Sequence, residues 1–586
     1  MTNRHSRLLF LALLVLAACG HTPAVGVVPA PLPPGPPPLT AAEGQLVQHL
    51  LDSLPLRDKV AQLIMPWIDG SYEPLDSPTM RQALMWVDSL KVGGLIVSIG
   101  TPTEVAAKLN ALQRAAPLPL LVASDLEGGT TFRLAGGTPF PTQMGIGAGG
   151  RTDDAYQMGR ITALEGRAVG IQLAFAPVAD VNSNPDNPVI NTRSFGGDPR
   201  MVAAFVTATI KGIRDNGMFA TAKHFPGHGD TETDSHLSLP VITAGWPRFD
   251  SLELVPFRAA IAAGVDAVMS AHIALPALDP GQQRPGTLAP PILTGILRDS
   301  LHFTGLISTD ALNMGAIVKE VGADEAPVLA FLAGSDLLLM PSDAGHAIDA
   351  MVKAINSGRI SRDRLDLSVR KILVMKARLG LFQHRLVDLD HVSAVVGKAE
   401  FRATAQDITQ RSITLLKDSL GTVNHLRAGK MTVTLVTCAE AGSTVGSTLA
   451  AELRAKGYIV HTAFLPYDPS NAARDSVLRA VDLSPIAIVA SAVRVVSGKG
   501  TVALPSGAEK AIGMIIAHKP TVLISFGTPY LISQLPKTQS YLLAWAAGPS
   551  NELAVANALT GAAPITGKAP IAIPPSWPIG TGIARQ

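Results

Sequence analysis

Short apolar runs alternate with amphipathic stretches along most of the chain, and this alternation restricts the fold more than any other feature of the sequence. Between residues 46 and 385 it predicts eight strands: Gln62–Pro66, Gly94–Ile99, Pro119–Ser124, Gln172–Pro177, Phe219–Ala222, Ala267–Ala271, Gly305–Thr309 and Asp336–Met340. Each run is followed by enough chain to cross over and return in parallel. We therefore expect an α/β fold, a (β/α)8 TIM-like barrel, over residues 46–385.

A second α/β pattern follows a predicted linker at 386–403 and occupies residues 404–586. Its strand-like runs are Thr432–Val436, Ile459–Ala463, Ile486–Ala490, Val522–Phe526 and Tyr541–Trp545. They predict a smaller layered α/β sandwich domain. Neither a Gly-x-Gly-x-x-Gly nor a Walker A pattern occurs there, so we infer no nucleotide site and expect no cofactor.

The N-terminus has the features of an export signal. The apolar run Leu8–Ala18 has eleven residues and is followed by Cys19. At ~1.5 Å per residue this run is too short for a bilayer core of ~30 Å. Leu16-Ala17-Ala18-Cys19 resembles the bacterial lipobox, so residues 1–19 are predicted to be a lipoprotein signal peptide with Cys19 as the lipidated residue. A chance cysteine behind an ordinary signal peptide is the alternative.

The segment 20–45 is rich in proline, which favours an extended spacer. We expect a cell-envelope protein that is joined to the membrane through its lipid. An aspartate directly after the lipidated cysteine is associated with inner-membrane retention, but this chain has Gly20 there. The lack of that aspartate favours the periplasmic side of the outer membrane if the cell is Gram-negative.

The charge balance argues against a nucleic-acid partner. The chain has 48 basic and 46 acidic residues, for a net charge of +2. Such a balance produces no strong field that would attract a polyanion. We expect a monomer.

Polar residues follow several predicted barrel strands: Asp125, Lys223 with His224, His272, and Asp310. In a parallel barrel the carboxyl ends of all strands share one rim, where active sites lie. These residues are therefore predicted to converge, which favours an enzyme.

The most informative loop contains Lys223-His224-Phe225-Pro226-Gly227-His228-Gly229-Asp230, followed by Asp234-Ser235-His236. Asp234 and His236 are two positions apart, so in an extended loop their side chains can pair. A carboxylate there fixes the imidazole tautomer, as a general acid/base requires. A metal site built from His224, His228, Asp230 and His236 is the alternative, but no recognised ligand spacing supports it, and we expect none.

Four segments together resemble the bacterial β-N-acetylglucosaminidases of glycoside hydrolase family 3: Asp125–Gly129, Asn191–Gly196, Lys223–Gly229 with Asp234–His236, and Thr309–Met314. The resemblance covers most of Leu54–Phe382. It implies a (β/α)8-like barrel, usually followed by an α/β sandwich. Leu126 and Thr131 depart from the commoner glutamine and valine, which puts subsite detail in doubt and not the reaction.

The resemblance also implies roles for individual residues. Asp310 is the nucleophile, and His236 is the acid/base that Asp234 orients. The side chains that would hold the sugar are Asp125, Arg193, Lys223, His224, Arg133 and His272. An acid/base in the same domain as the nucleophile separates this branch from the family's β-glucosidases.

The sequence therefore predicts a retaining exo-β-N-acetylglucosaminidase that forms a covalent glycosyl-Asp310 intermediate. Its expected partner is a carbohydrate containing GlcNAc, either a peptidoglycan-derived muropeptide or a chitooligosaccharide. A β-glycoside phosphorylase or a β-glucosidase of the same family is the first alternative. A non-catalytic envelope-binding lipoprotein is the second.

Overall fold

The computed structural model describes residues 38–496 and 498–586. The predicted signal peptide, Cys19 and most of the predicted spacer 20–45 lie outside the described residues. The first helix, Ala41–Ser53, begins inside that spacer. Thr40 and Glu43 start it with a capping box, in which the Thr40 hydroxyl accepts from the Glu43 N–H and the Glu43 carboxylate accepts from the Thr40 N–H.

The barrel contains nine short strands: β1 Ile64–Met65, β2 Trp67–Asp69, β3 Gly94–Ser98, β4 Leu121–Ser124, β5 Leu173–Ala174, β6 Phe219–Phe225, β7 Ala267–Ser270, β8 Leu306–Ser308 and β9 Leu338–Leu339. Strands β2 to β8 are paired in sequence order and in parallel. Each predicted strand is present.

The first predicted strand, Gln62–Pro66, contains only β1, and a further strand that the sequence did not predict, β2, follows directly after Pro66. β2 pairs with β3, whereas β1 pairs with β9. A bridge between Ser308 and Leu337 connects β8 to the start of β9. These pairings close the ring, and the predicted TIM-like barrel is confirmed.

α-Helices surround the barrel, and their bounds are Ala41–Ser53, Leu56–Ala61, Pro78–Leu84, Pro102–Ala115, Gln143–Gly149, Thr152–Ala168, Pro199–Asp215, Trp246–Arg248, Leu254–Ala262, Gly315–Val321, Glu325–Ala333, Ala344–Asn356 and Arg362–Arg378. Shorter π-helical and 3-10 segments are Met85–Ser89, Phe249–Glu253, Pro291–Ser300, Thr130–Phe132, Asn191–Arg193 and Gly286–Leu288. No helix within 38–496 or 498–586 is both long and apolar enough to cross a membrane.

Two helices of the barrel wall show why the sequence specifies this packing. Pro199–Asp215 starts at Asp198, whose carboxylate accepts from the Met201 N–H at 2.7 Å. It packs against Thr152–Ala168 at a crossing where both helices carry glycine. A Cβ on Gly159 would lie 2.5 Å from a backbone oxygen of the partner helix, and one on Gly212 would lie 2.2 Å from another. Only glycine permits this approach.

The second domain is a six-stranded sheet with strands β10 Thr414–Asp418, β11 Thr432–Ala439, β12 Ile459–Pro466, β13 Ile486–Ser491, β14 Thr521–Ser525 and β15 Ser540–Leu543. Their order is β10-β15-β14-β13-β11-β12, and only β10 is antiparallel to its neighbour. The helices of this domain are Thr422–Ala428, Ser447–Ala455, Asn471–Val481, Ser506–His518, Leu531–Gln534 and Pro549–Thr560. The five predicted strands are present, and β10 is an additional one.

The predicted linker at 386–403 is mostly helical, since it contains Leu389–Val395 and the start of Ala399–Ser412. It is docked on the barrel, where the Asn110 side chain donates to the Val387 carbonyl at 2.8 Å and accepts from its N–H at 2.9 Å. The two domains are therefore joined by a mostly helical segment that packs on the barrel, and not by an extended linker.

Direct contacts hold the second domain against the barrel. Arg411 binds both carboxylate oxygens of Asp154 at 2.7 and 3.2 Å. The hydroxyl of Thr142 donates to the Trp545 carbonyl at 3.2 Å. The carboxyl ends of β13, β14 and β15 are turned toward the barrel rim, and the loops that follow them line a shared cleft.

Candidate active site

A cleft of about 700 Å³ lies between the barrel rim and the second domain. The barrel contributes charged residues from the carboxyl end of β6 and from the loops after β4, β5, β6 and β8. The second domain contributes three loops, which include Arg494–Val496, Phe526–Gly527 and Trp545–Asn551. The predicted residues that line the cleft are Asp125, Arg133, Arg193, Lys223, His224, Asp234, His236 and Asp310.

A network of five charged side chains forms one wall of the cleft. The Lys223 ammonium lies 2.7 Å from both Asp125 Oδ1 and Glu127 Oε1. Arg193 binds Glu127 through two nitrogens, at 2.7 and 2.8 Å, and Arg133 lies 3.0 Å from Asp125 Oδ2. All five groups are thereby fixed in position, as a binding site for sugar hydroxyls requires.

Ionisation is maintained in this network although most of it is buried. Burial opposes ionisation of Asp125, but the charges of Lys223 and Arg133 outweigh it and lower the pKa of this carboxyl. Arg193 and Lys223 likewise outweigh burial and hold the pKa of Glu127 well below its usual value. Burial also disfavours the Lys223 ammonium, but the two carboxylates raise its pKa.

Asp180 fixes the loop that follows β6. This fully buried carboxylate lies 2.7 Å from His224 Nδ1 and accepts backbone N–H groups of His224 and His228 at 3.2 and 2.7 Å. Burial opposes its ionisation, but the His224 imidazole outweighs this and lowers the pKa of Asp180. With Nδ1 bound to Asp180, His224 presents Nε2 toward Arg193, whose Nη2 is 3.3 Å away.

The Asp234/His236 pair has the geometry of an oriented general acid/base. Asp234 Oδ1 lies 2.7 Å from His236 Nδ1 and also accepts the His236 N–H at 2.9 Å. The other oxygen, Oδ2, accepts the N–H of Gly498 from the second domain at 2.8 Å. Burial opposes ionisation of Asp234, but these hydrogen bonds outweigh it and lower its pKa. Because Nδ1 is held by Asp234, Nε2 of His236 remains for a substrate.

Asp310 lies two residues beyond β8 and lines the same cleft. Its Oδ1 accepts the N–H of Ala311 at 2.8 Å. Burial opposes its ionisation, but the imidazoles of His272 and His224, this N–H and Lys223 together lower the pKa of Asp310 to about 2. It is therefore ionised at neutral pH, as a nucleophile must be.

His272 is placed differently from the other predicted residues. It is 1% exposed and does not line the cleft. Both ring nitrogens contact protein groups, since Nδ1 lies 2.8 Å from the Thr287 hydroxyl and Nε2 lies 2.9 Å from the Ala311 carbonyl. These contacts favour a role in holding the Asp310–Ala311 backbone rather than the predicted contact with sugar.

The four residues weighed as metal ligands are occupied by protein partners. Besides the contacts of His224 and His236, His228 contacts the hydroxyls of Thr231 and Ser235 at 2.8 and 3.1 Å, and Asp230 lies 3.1 Å from Arg248 Nη2. Burial lowers the pKa of His228 to about 4. No group of three or more metal-ligating side chains is arranged for an ion in the part of the chain that the structure describes.

Glu127 and Asp180 are the site residues that the sequence interpretation missed. Glu127 stands in the segment Asp125–Gly129, but nothing local shows that it binds Arg193 and Lys223. Asp180 lies three positions beyond the fourth predicted strand, so its position at a strand end was an available signal. The contributions of the second domain carry no motif.

Comparisons with known proteins agree with this geometry. The model of the glycosyl hydrolase family 3 N terminal domain matches residues 55–375. The chain is 31% identical over 502 residues to a β-N-acetylglucosaminidase/β-glucosidase of Cellulomonas fimi, covering 82% of this chain and 88% of that protein. It is 37% identical over 283 residues to a β-hexosaminidase of Xylella fastidiosa, covering 46% of this chain and 83% of that one.

Solved structures show the same similarity over both domains. A family 3 β-N-acetylglucosaminidase from Paenibacillus sp. superimposes with a TM-score of 0.79 at 33% identity, covering 91% of this chain and 100% of that one. A β-glucoside phosphorylase superimposes with a TM-score of 0.83 at 26% identity, covering 91% and 97%.

Proposed function

The chain belongs to glycosyl hydrolase family 3 and is a glycoside hydrolase, and from that premise we propose that it is a retaining exo-β-N-acetylglucosaminidase. One observation carries the proposal: an ionised Asp310 and an oriented Asp234/His236 pair line the same cleft. A carboxylate nucleophile and a separate proton carrier are what a two-step displacement at an anomeric carbon needs.

In the first step, a carboxylate oxygen of Asp310 attacks the anomeric carbon while the bond to the leaving oxygen breaks. His236 gives its Nε2 proton to that oxygen, and Asp234 stabilises the imidazolium before the transfer. In the second step, His236 takes a proton from a water molecule while the oxygen of that water attacks the anomeric carbon. The bond to Asp310 breaks, and the β configuration is retained.

The charged wall is suited to hold the terminal sugar. Asp125 and Glu127 offer acceptors, whereas Lys223 and Arg193 offer donors, and each is fixed by its neighbours. His224 contributes its Nε2 atom, which lies beside Arg193. Groups that are positioned before substrate arrives lose little entropy on binding.

Two features support N-acetylglucosamine as the terminal sugar. The acid/base pair lies on a barrel loop, as the resemblance to this branch of the family implies, and relatives of this chain are named β-N-acetylglucosaminidase or β-hexosaminidase. Rates for p-nitrophenyl β-glycosides of GlcNAc, GalNAc and glucose test the choice. A preference for glucose would contradict it, and absence of turnover on all three would favour the envelope-binding alternative.

A phosphorylase is a second candidate because a β-glucoside phosphorylase superimposes on 91% of the chain. Once His236 has given up its proton it is a neutral imidazole, which does not repel an incoming phosphate as an ionised carboxylate would. The test is turnover with and without inorganic phosphate. Hydrolysis that is independent of phosphate supports the hydrolase, whereas release of GlcNAc 1-phosphate with strong acceleration would support the phosphorylase.

For location, we propose that Cys19 is lipidated and that the enzyme acts on peptidoglycan-derived fragments in the envelope. The lipobox-like sequence Leu16–Cys19 supports this anchor. Cys19→Ser should release the protein from the membrane fraction or leave its signal uncleaved. Normal membrane association of this variant with the wild-type mature mass would contradict the anchor.

A further inference from the structure

The cations of the cleft divide into two groups. Arg133, Arg193 and Lys223 all belong to the barrel, and each is held by at least one carboxylate. Arg494 belongs to the second domain and is exposed where it lines the cleft. In residues 38–496 and 498–586 no hydrogen bond or ion pair engages its guanidinium. A guanidinium without an anionic partner in a substrate cleft is suited to bind an anionic group of the substrate.

Described residues on both sides of Arg494 are hydrogen-bonded to other parts of the chain. On one side the Thr528 N–H donates to the Val493 carbonyl at 2.8 Å. A Cβ on Gly527 would lie 1.8 Å from that carbonyl oxygen, so the backbones approach as closely as glycine allows. On the other side, the Gly498 N–H donates to Asp234. Val493 and Gly498, which stand on either side of Arg494 in the chain, are thus both hydrogen-bonded to other segments.

The hydrogen bond from Gly498 to Asp234 also indicates which part of the substrate this loop faces. Asp234 orients His236, which delivers the proton to the leaving oxygen. A loop bonded to Asp234 therefore lies on the leaving-group side of the cleft. The four residues from Arg494 to Gly498 span at most ~14 Å. An arginine side chain and one sugar of the leaving group together cover that distance.

We propose that Arg494 binds a carboxylate on the leaving group and makes the enzyme prefer an anionic aglycone. This inference rests on the proposed hydrolysis of terminal GlcNAc. The muramic acid unit of peptidoglycan carries such a carboxylate on the lactyl ether at O3. Chitobiose has the same linkage and the same leaving oxygen but lacks that group, which makes the two disaccharides a matched pair.

The experiment measures kcat and KM of the purified full-length protein on GlcNAc-β-1,4-MurNAc and on N,N′-diacetylchitobiose. For Arg494→Ala we expect the ratio of kcat/KM for the anionic to the neutral disaccharide to fall roughly tenfold, mainly through KM, because one charge-assisted contact is lost in a partly solvated site. Arg494→Lys should restore part of the ratio. Added salt should lower the ratio of the wild type, since exposed charges are screened.

Lys499→Ala is the matched control, because it removes a cation from the same loop that does not line the cleft and that lies 3.4 Å from Glu440. This variant should keep the wild-type ratio. An equal slowing of both disaccharides by Arg494→Ala, or an unchanged ratio, would overturn the inference.

Two further outcomes separate this inference from the proposed function. If Arg494→Ala lost only an acceleration by inorganic phosphate, the guanidinium would serve a phosphate acceptor and the proposal of a leaving-group carboxylate would be wrong. If the wild type cleaved neither disaccharide nor an aryl GlcNAc glycoside, the proposed function itself would fail, and the inference with it.

Discussion

The barrel rim and the loops at the carboxyl end of the second domain's sheet line the same cleft but are built differently. On the rim, Glu127 and Lys223 each contact two charged partners, and the groups that would touch the terminal sugar are fixed by one another. The loops of the second domain present mostly small and apolar residues, together with Arg494, whose guanidinium has no hydrogen-bond or ion-pair partner among the described residues. The groups of the rim are therefore preorganised by one another, whereas Arg494, which takes part in none of these contacts, can be replaced without disturbing them.

The contrast predicts the largest effect at Asp310. Asp310→Ala should reduce kcat by at least about 10⁴-fold, because the covalent step is lost. The fold should be retained, since the only hydrogen bond that Asp310 makes among the described residues is with the neighbouring Ala311 N–H. Steady-state kinetics and thermal unfolding check the two parts. A variant that kept a tenth of the wild-type kcat would show that the nucleophile lies elsewhere.

His236→Ala should have the next largest effect, and it should depend on the leaving group. A missing general acid costs about 10²–10⁴-fold for alkyl or sugar leaving groups. Activated aryl glycosides need little protonation and should slow far less in their first step. Asp234→Ala should show the same order with smaller losses, because it misorients the imidazole without removing it.

The measurement is a plot of log kcat/KM against leaving-group pKa for wild type and both variants. Equal slowing of good and poor leaving groups by His236→Ala would assign His236 to binding or structure. His228 would then be the next candidate on the loop, although burial lowers its pKa to about 4 and two hydroxyls engage its ring nitrogens.

A smaller effect tests whether the second domain assists the barrel chemistry. Gly498 has φ +78° and donates its N–H to Asp234. Gly498→Ala should strain the loop by about 1 kcal/mol and loosen this contact, slowing sugar leaving groups by roughly threefold to tenfold. Gly500→Ala is the matched control, because Gly500 has φ +71° and no hydrogen bond to the pair. Identical kinetics for the two variants would argue against coupling.

The smallest effect concerns Glu253, a buried carboxyl of the barrel whose two oxygens have no hydrogen-bond partner in the described part of the chain. It lies beneath the loop after β6, where a Cβ on Gly227 would be 2.8 Å from Glu253 Oε2. Its nearest cation, Arg248 Nη2, is 3.6 Å from Oε1. Burial raises the pKa of Glu253 to about 8, with Arg248 opposing the shift.

The folded state therefore holds this proton more tightly than the unfolded chain, whose glutamates titrate near ~4.3. The resulting stabilisation is complete below about pH 4 and is lost as the pH rises through 8. Glu253→Gln should thus raise the free energy of unfolding by about 1 kcal/mol at pH 9 and change it little at pH 4. Urea unfolding at both pH values checks this, with the exposed Glu320→Gln as control. A Glu253→Gln variant that was less stable at pH 9 would contradict the assignment.

Much of the barrel and its rim could be predicted from the sequence because the signals are local. Apolar runs mark the strands, and Asp125, Lys223 and Asp310 directly follow such runs. Parallel strands bring those positions together without further information. The sequence did not predict β2, which follows β1 directly after Pro66, or β10, which follows a helix with no turn signal between them.

The rest of the site depends on contacts between distant parts of the chain. Asp234 and Gly498 are 264 positions apart, and neither position indicates the other. The helix start at Ala41, by contrast, has a local signal that the sequence interpretation missed, the capping box of Thr40 and Glu43. Arg494 follows an ordinary strand, and its exposure in the cleft is visible only in the folded chain.

The most direct test of the covalent mechanism is to trap the intermediate with a mechanism-based fluoro analogue of GlcNAc and to map the labelled peptide by mass spectrometry. We expect one sugar per chain, attached to the carboxylate of Asp310, and no labelling of Asp310→Ala. A sugar attached to any other residue, or inhibition without a covalent adduct, would contradict it.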